Sequence, residues 1–76
     1  MSEELVMPRL SDTMEEGTIV EWLAEEGAAV NAGDELVEIQ TDKATATYEA
    51  EESGTLHIVA AVGDAVPIGG VIAELR

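Results

Sequence analysis

The sequence has no cysteine, one histidine, one lysine and two arginines. It also lacks any long apolar run. Each shortage excludes something. Without cysteine there is no disulfide framework, no thiolate metal site and no thiol nucleophile. Three basic residues stand against 17 acidic ones, for a net charge of −14. So few cations cannot form the clusters that nucleic-acid phosphates require, and an anionic membrane surface repels such a chain. No segment approaches the ~20 apolar residues that span a bilayer. The opening MSEELVMPRL has neither the basic end nor the apolar stretch of a secretory signal. The expectation is a cytoplasmic protein, or one of an organelle matrix after loss of a transit peptide, with neither nucleic acid nor membrane as partner. His57 has no serine at a useful spacing and reads as a half-exposed strand residue. No catalytic residue and no metal site are expected.

What is present describes one small domain covering residues 1–76. At 46% hydrophobic content the chain is too apolar for a disordered acidic tail. At 76 residues it is also too short for more than one core. Apolar residues do not recur at i, i+3, i+4 and i+7 over any stretch as long as a helix. Glycines cut the chain into short pieces, and the β-branched runs between them read as strands. The expected strands are Leu5–Pro8, Thr18–Leu23, Glu35–Thr41, Ala44–Glu49, Thr55–Val59 and Val71–Leu75, with short bridging pieces near Val30 and Val66. Apolar residues in Thr18–Leu23 fall on both parities, which a β-bulge explains by shifting the facing by one residue. The expected core is Ile19, Trp22, Val30, Leu36, Ile39, Leu56, Ile58, Val66 and Ile72.

The chain repeats itself. Gly27, Val30, Gly33 and Leu36 are matched 36 residues later by Gly63, Val66, Gly69 and Ile72. Gly17-Thr18-Ile19 is matched by Gly54-Thr55-Leu56 at an offset of 37. The glycines of Gly-x-x-Val-x-x-Gly supply positive φ or close backbone approach at each end of a loop. Two repeats are too few for a solenoid. They suit an all-β flattened barrel-sandwich of two antiparallel sheets with internal two-fold pseudo-symmetry, each half covering the other's apolar face.

Lys43 sits at the junction of the two repeats. β-rich runs lead in and out of Thr41-Asp42-Lys43-Ala44, which fits a type I turn. The lysine is therefore expected at a hairpin tip, with the chain termini together at the opposite pole. The residues around it carry a resemblance. Asp42-Lys43-Ala44, with Gly54 eleven residues on and Gly17 upstream, is similar to the lipoyl domains of 2-oxo acid dehydrogenase complexes. The likeness covers essentially the whole chain. Met7-Pro8-Arg9-Leu10-Ser11-Asp12-Thr13-Met14-Glu15-Glu16-Gly17-Thr18-Ile19 resembles the opening of lipoyl domains in dihydrolipoyl acetyltransferases of pyruvate dehydrogenase. The related biotinyl domains place their lysine between two methionines. Here Asp42 and Ala44 flank it instead.

The resemblance implies lipoate joined through an amide to Lys43, with Asp42 and Ala44 as the flanking turn. It implies a carrier that visits a thiamine-diphosphate 2-oxo acid decarboxylase, an acyltransferase core and a dihydrolipoyl dehydrogenase. A lipoate ligase or lipoyl transferase would attach the group. The loop Leu10, Ser11, Asp12, Thr13, Met14, Glu15 and Glu16 would lie beside the lysine and help the decarboxylase recognise its carrier. Met14 would be a contact there or loop filler. Glu15, Glu16, Glu25, Glu26, Glu49, Glu51 and Glu52 would keep a mobile bead soluble, or steer it onto basic rims of its partners. The alternatives are a biotinyl carrier domain and an unmodified acidic β-sandwich that serves as a binding module.

Overall fold

The computed structural model describes residues 3–76. Eight strands follow one another: β1 (Glu3–Val6), β2 (Glu16–Trp22), β3 (Ala29–Val30), β4 (Glu35–Gln40), β5 (Thr45–Glu49), β6 (Gly54–Ile58), β7 (Ala65–Pro67) and β8 (Val71–Leu75). They form two four-stranded sheets, ordered β1-β8-β6-β3 and β5-β4-β2-β7. Every strand pair is antiparallel. The two sheets lie as a flattened sandwich and do not close on one another, so the barrel part of the expectation falls away. The reason lies in strand length. β3 and β7 are two and three residues long. They end their sheets after too few hydrogen bonds to carry a ladder across to the opposite layer.

The two-fold repeat is structural. Exchanging β1 with β5, β2 with β6, β3 with β7 and β4 with β8 turns one sheet order into the other. Backbone bonds repeat with it: Gly27 N–H donates to the Leu56 carbonyl (2.8 Å) and Gly63 N–H to the Ile19 carbonyl (2.7 Å). Gly27 and Gly63 have φ of 83° and 94°. This is the left-handed region that a side chain disfavours, which is why this residue recurs at that spacing.

The core lies between the sheets. Ile19, Leu36, Ile39, Leu56 and Ile72 are at most 1% exposed, and Val30 is buried with them. Trp22, Ile58 and Val66 are half-buried against this cluster. Leu5, Met7, Met14, Val37, Ala50, Ala60, Ala73 and Leu75 complete it. In β2 the register against β4 shifts between Ile19 and Glu21. That bulge lets Ile19 face inward while Val20 is left 39% exposed.

The chain ends meet. Glu3 pairs with Leu75, and its carboxyl is raised above its ordinary value by Glu52, through a hydrogen bond and through charge. Glu52 lies beyond the Glu49 end of β5, whereas the Thr45 end adjoins the β4–β5 turn. The termini and the turn therefore occupy opposite poles of a body 32 Å long.

Candidate functional site

The site begins with the hairpin. From Val37 opposite Tyr48, β4 and β5 run in register until Gln40 faces Thr45, and residues 41–44 make the reversal. Thr41 closes it. Its N–H donates to the Ala44 carbonyl (2.8 Å), as does its hydroxyl (2.7 Å). The same hydroxyl accepts the N–H groups of Lys43 (3.2 Å) and Ala44 (3.0 Å). The Thr41 hydroxyl thus takes the Ala44 N–H that its carbonyl would accept in a hydrogen-bonded turn, and a side-chain clamp holds the reversal. Thr41 was not among the expected site residues, although a threonine before Asp-Lys is the visible signal for this clamp.

The clamp leaves Asp42, Lys43 and Ala44 exposed. The Lys43 Nζ makes no hydrogen bond or ion pair with any described residue. An amine held out in this way keeps its three donors in water and is open to an enzyme that would modify it.

Beside the hairpin runs the β1–β2 connection. Its ends are tied to the β7–β8 turn, where Met7 N–H donates to the Gly70 carbonyl (2.8 Å) and Ile68 N–H to the Glu15 carbonyl (3.2 Å). Its middle meets the hairpin through Asp42. Ser11 Oγ donates to one carboxylate oxygen (2.8 Å), and Thr13 Oγ1 donates to the other. These two hydroxyls, Thr13 foremost, hold the Asp42 carboxyl below its ordinary value, with a small further contribution from the Lys43 charge.

The expected recognition residues separate by burial. Leu10, Asp12, Thr13, Glu15 and Glu16 are exposed, and Ser11 is half-buried. Met14 is 2% exposed and belongs to the core cluster. Its sulfur accepts the Leu10 N–H (2.8 Å). A side chain so placed shapes the loop from beneath and offers no surface to a docking protein, so the contact role considered for Met14 is withdrawn. Between loop and hairpin lies an open groove of about 610 Å³, lined by Thr13, Glu16, Thr18, Gln40, Asp42 and Ala65 among others. Thr18, Gln40 and Ala65 come from three strands and were invisible as neighbours in the sequence.

His57 is elsewhere, half-buried in β6. Its Nδ1 lies 2.9 Å from Glu26, and the other Glu26 oxygen accepts the Ile58 N–H (2.6 Å). The pair ties a loop to a strand and has no link to Lys43.

A family model described as biotin-requiring enzyme, the biotin/lipoyl family, matches residues 3–75. The chain is 47% identical, over 99% of its length, to a pyruvate dehydrogenase E1 component subunit beta of Rhizobium meliloti, and covers 17% of that protein. It is also 47% identical, over 99% of its length, to the dihydrolipoyllysine-residue acetyltransferase component of the pyruvate dehydrogenase complex of Zymomonas mobilis, covering 18% of it. Among solved structures, the lipoyl domain of the 2-oxoglutarate dehydrogenase complex from Azotobacter vinelandii superposes with a TM-score of 0.79 at 30% identity. That match covers 96% of this chain and 94% of the other. The chain thus spans less than a fifth of the curated relatives named here, and nearly all of a solved lipoyl domain.

Proposed function

The chain belongs to the biotin/lipoyl family and is a lipoyl carrier domain, and on that footing we propose that Lys43 is its attachment site, in service of a pyruvate dehydrogenase complex. The observation that carries this is the state of the lysine. It is exposed, unpaired among the described residues, and set at the pole opposite the chain ends. A covalent arm fits there: the amide needs only a free primary amine, and nothing in the turn obstructs what is attached. Lipoate bound there supplies a dithiolane that accepts an acyl group together with two electrons and gives both up again.

The chain's own residues do the rest by placement. Thr41 holds the turn. Asp42 has both oxygens engaged by the loop and makes no ion pair with the amine. Tethering at the far pole lets the bead turn its lysine outward toward each partner, which keeps the carried group at high effective concentration near each site. In this reading the domain is a non-catalytic carrier, which its membership of the biotin/lipoyl family supports. The partners in this reading are a thiamine-diphosphate decarboxylase, the acyltransferase core, a dihydrolipoyl dehydrogenase and the ligase or transferase that loads Lys43. The E1 and acetyltransferase names of the relatives support the first two.

The test is direct. Incubation with lipoate, ATP and lipoate ligase should add one lipoyl mass, mapped to Lys43, and Lys43→Arg should remain unmodified. Modification by biotin ligase in place of lipoate ligase, or no modification by either, would overturn the assignment.

A further inference from the structure

A two-residue hairpin turn matches the twist of its strands by placing one or both central residues at positive φ, which is why such turns favour Asn-Gly. The lysine hairpin is built otherwise. Thr41 and Ala44 close it across Asp42 and Lys43, and among the described residues only glycines have a positive φ. Asp42 and Lys43 therefore keep negative φ, the arrangement that splays the strands. Thr41 N–H still reaches the Ala44 carbonyl (2.8 Å). In the other direction the Ala44 N–H goes to the Thr41 hydroxyl (3.0 Å), which also accepts the Lys43 N–H (3.2 Å) and donates to the Ala44 carbonyl (2.7 Å). A hydroxyl has one donor and two acceptor sites. All three are committed to Lys43 and Ala44, and none is left for a partner.

We propose that Thr41 is a positioning residue for the loading of Lys43: its hydroxyl fixes the backbone from which the lysine side chain departs, and so sets the aim of the amine into the enzyme that acylates it. This rests on the carrier function set out above and deepens it. In the loading step the uncharged Lys43 amine attacks the carbonyl carbon of an acyl-AMP, which the ligase forms from lipoate and ATP. The amide C–N bond forms, the C–O bond to AMP breaks, and a proton leaves the amine for solvent. Such an attack needs the reacting atoms about 3–3.5 Å apart and aligned. The lysine stem is long and flexible, so its point of departure is the part that the domain itself can fix. A type I′ turn would fix it only with positive φ at Lys43, which a side chain disfavours. The Thr41 hydroxyl lets a residue with a full side chain stand at the tip instead. Stability explains the clamp poorly, because Lys43 and Ala44 are exposed and water readily replaces hydrogen bonds made there.

The experiment offers the unmodified wild-type domain, Thr41→Val and Thr41→Ser to lipoate ligase with ATP and lipoate. Valine keeps the shape and β-branch of threonine without the hydroxyl, and serine keeps the hydroxyl. Initial rates followed by mass spectrometry give kcat and KM for each domain. Thr41→Val should lower kcat about tenfold, equivalent to about 1.4 kcal/mol in the barrier, with KM little changed. Thr41→Ser should restore the wild-type kcat. Acetylation of Lys43 by an N-hydroxysuccinimide ester reads only the exposure of the amine and should proceed equally in all three. An unchanged kcat in Thr41→Val, a rise in KM alone, or a loss in Thr41→Ser as large as in Thr41→Val would overturn the inference and leave the carrier function intact. A parallel fall in the ester reaction would show an amine withdrawn from solvent, and a Thr41→Val domain unfolded at the assay temperature would make Thr41 a residue of stability; either would overturn it too. Failure of the wild-type domain to accept lipoate would instead remove the carrier function, and this inference with it.

Discussion

Gly17 lies where β2 begins, under the lysine hairpin, and replacing it with alanine should overpack the core. A Cβ placed there would lie 2.6 Å from Ile39 Cγ2 and 2.7 Å from Met7 Sδ. Carbon atoms rest at about 3.5–4.0 Å, so the neighbours must retreat by roughly 1 Å. Met7 can bend. Ile39 cannot, because it is 0% exposed, sits in a central strand and is stiff at its β-branch. Overpacking of this kind costs about 1–3 kcal/mol. For a domain of this size each kcal/mol lowers Tm by about 4–8 °C, so Gly17→Ala should melt roughly 4–24 °C below wild type. The two-fold mate provides the control. At Gly54 the nearest atoms, the Arg76 carbonyl oxygen and Leu75 Cβ, stand at 3.2 Å. The retreat needed there is only a few tenths of an ångström. The stiffer unfolded chain offsets that by about 0.4–1 kcal/mol. Gly54→Ala should therefore melt within a few degrees of wild type. Thermal unfolding followed by circular dichroism, with urea titration to check that m is unchanged, measures both. A Gly17→Ala protein as stable as wild type, or a larger loss at Gly54 than at Gly17, would refute the packing account of these glycines.

Further outcomes follow from the site. Lys43→Arg should abolish lipoylation yet shift stability by no more than about 0.5 kcal/mol, because the side chain is exposed and unpaired; mass spectrometry and a melt check this. Exchanging Asp42 and Lys43 should also abolish modification, since a one-residue shift re-aims the side chain, and efficient loading of that variant would contradict it. The Asp42 carboxyl is held below its ordinary value of 3.8 by Thr13 and Ser11. A depressed folded value means that these two hydrogen bonds are intact above 3.8 and are lost as pH falls through the folded value. Amide chemical shifts of residues 10–14 should follow that titration, and in S11A/T13A the Asp42 midpoint should move up toward 3.8. Glu26→Ala removes both the contact with half-exposed His57 and the hydrogen bond from the Ile58 N–H, and should cost about 1–2 kcal/mol, with lipoylation unchanged.

Much of the fold was legible in the residues. Short β-branched runs between glycines marked six of the eight strands to within about two residues, and the bridging pieces near Val30 and Val66 became β3 and β7. The both-parity run in β2 carried its bulge openly. Six of the nine expected core residues are buried, and the other three pack against them at the sheet margins. Met14 was missed because it lies in a loop, outside every expected strand. No alternation labels such residues, and only the close approach of a loop to both sheets buries them.

The sequence alone determined where the chain turns, the pairing of its two halves and the seat of Lys43 at their junction. Those are matters of backbone preference and short spacing, which neighbouring residues settle among themselves. Tertiary structure decided that the sheets stay open, that Met14 faces inward, and that Ser11 and Thr13 reach Asp42 across 31 and 29 residues. Bonds over such distances leave no periodicity to read, because they exist only once packing has brought two distant segments within a hydrogen bond's length.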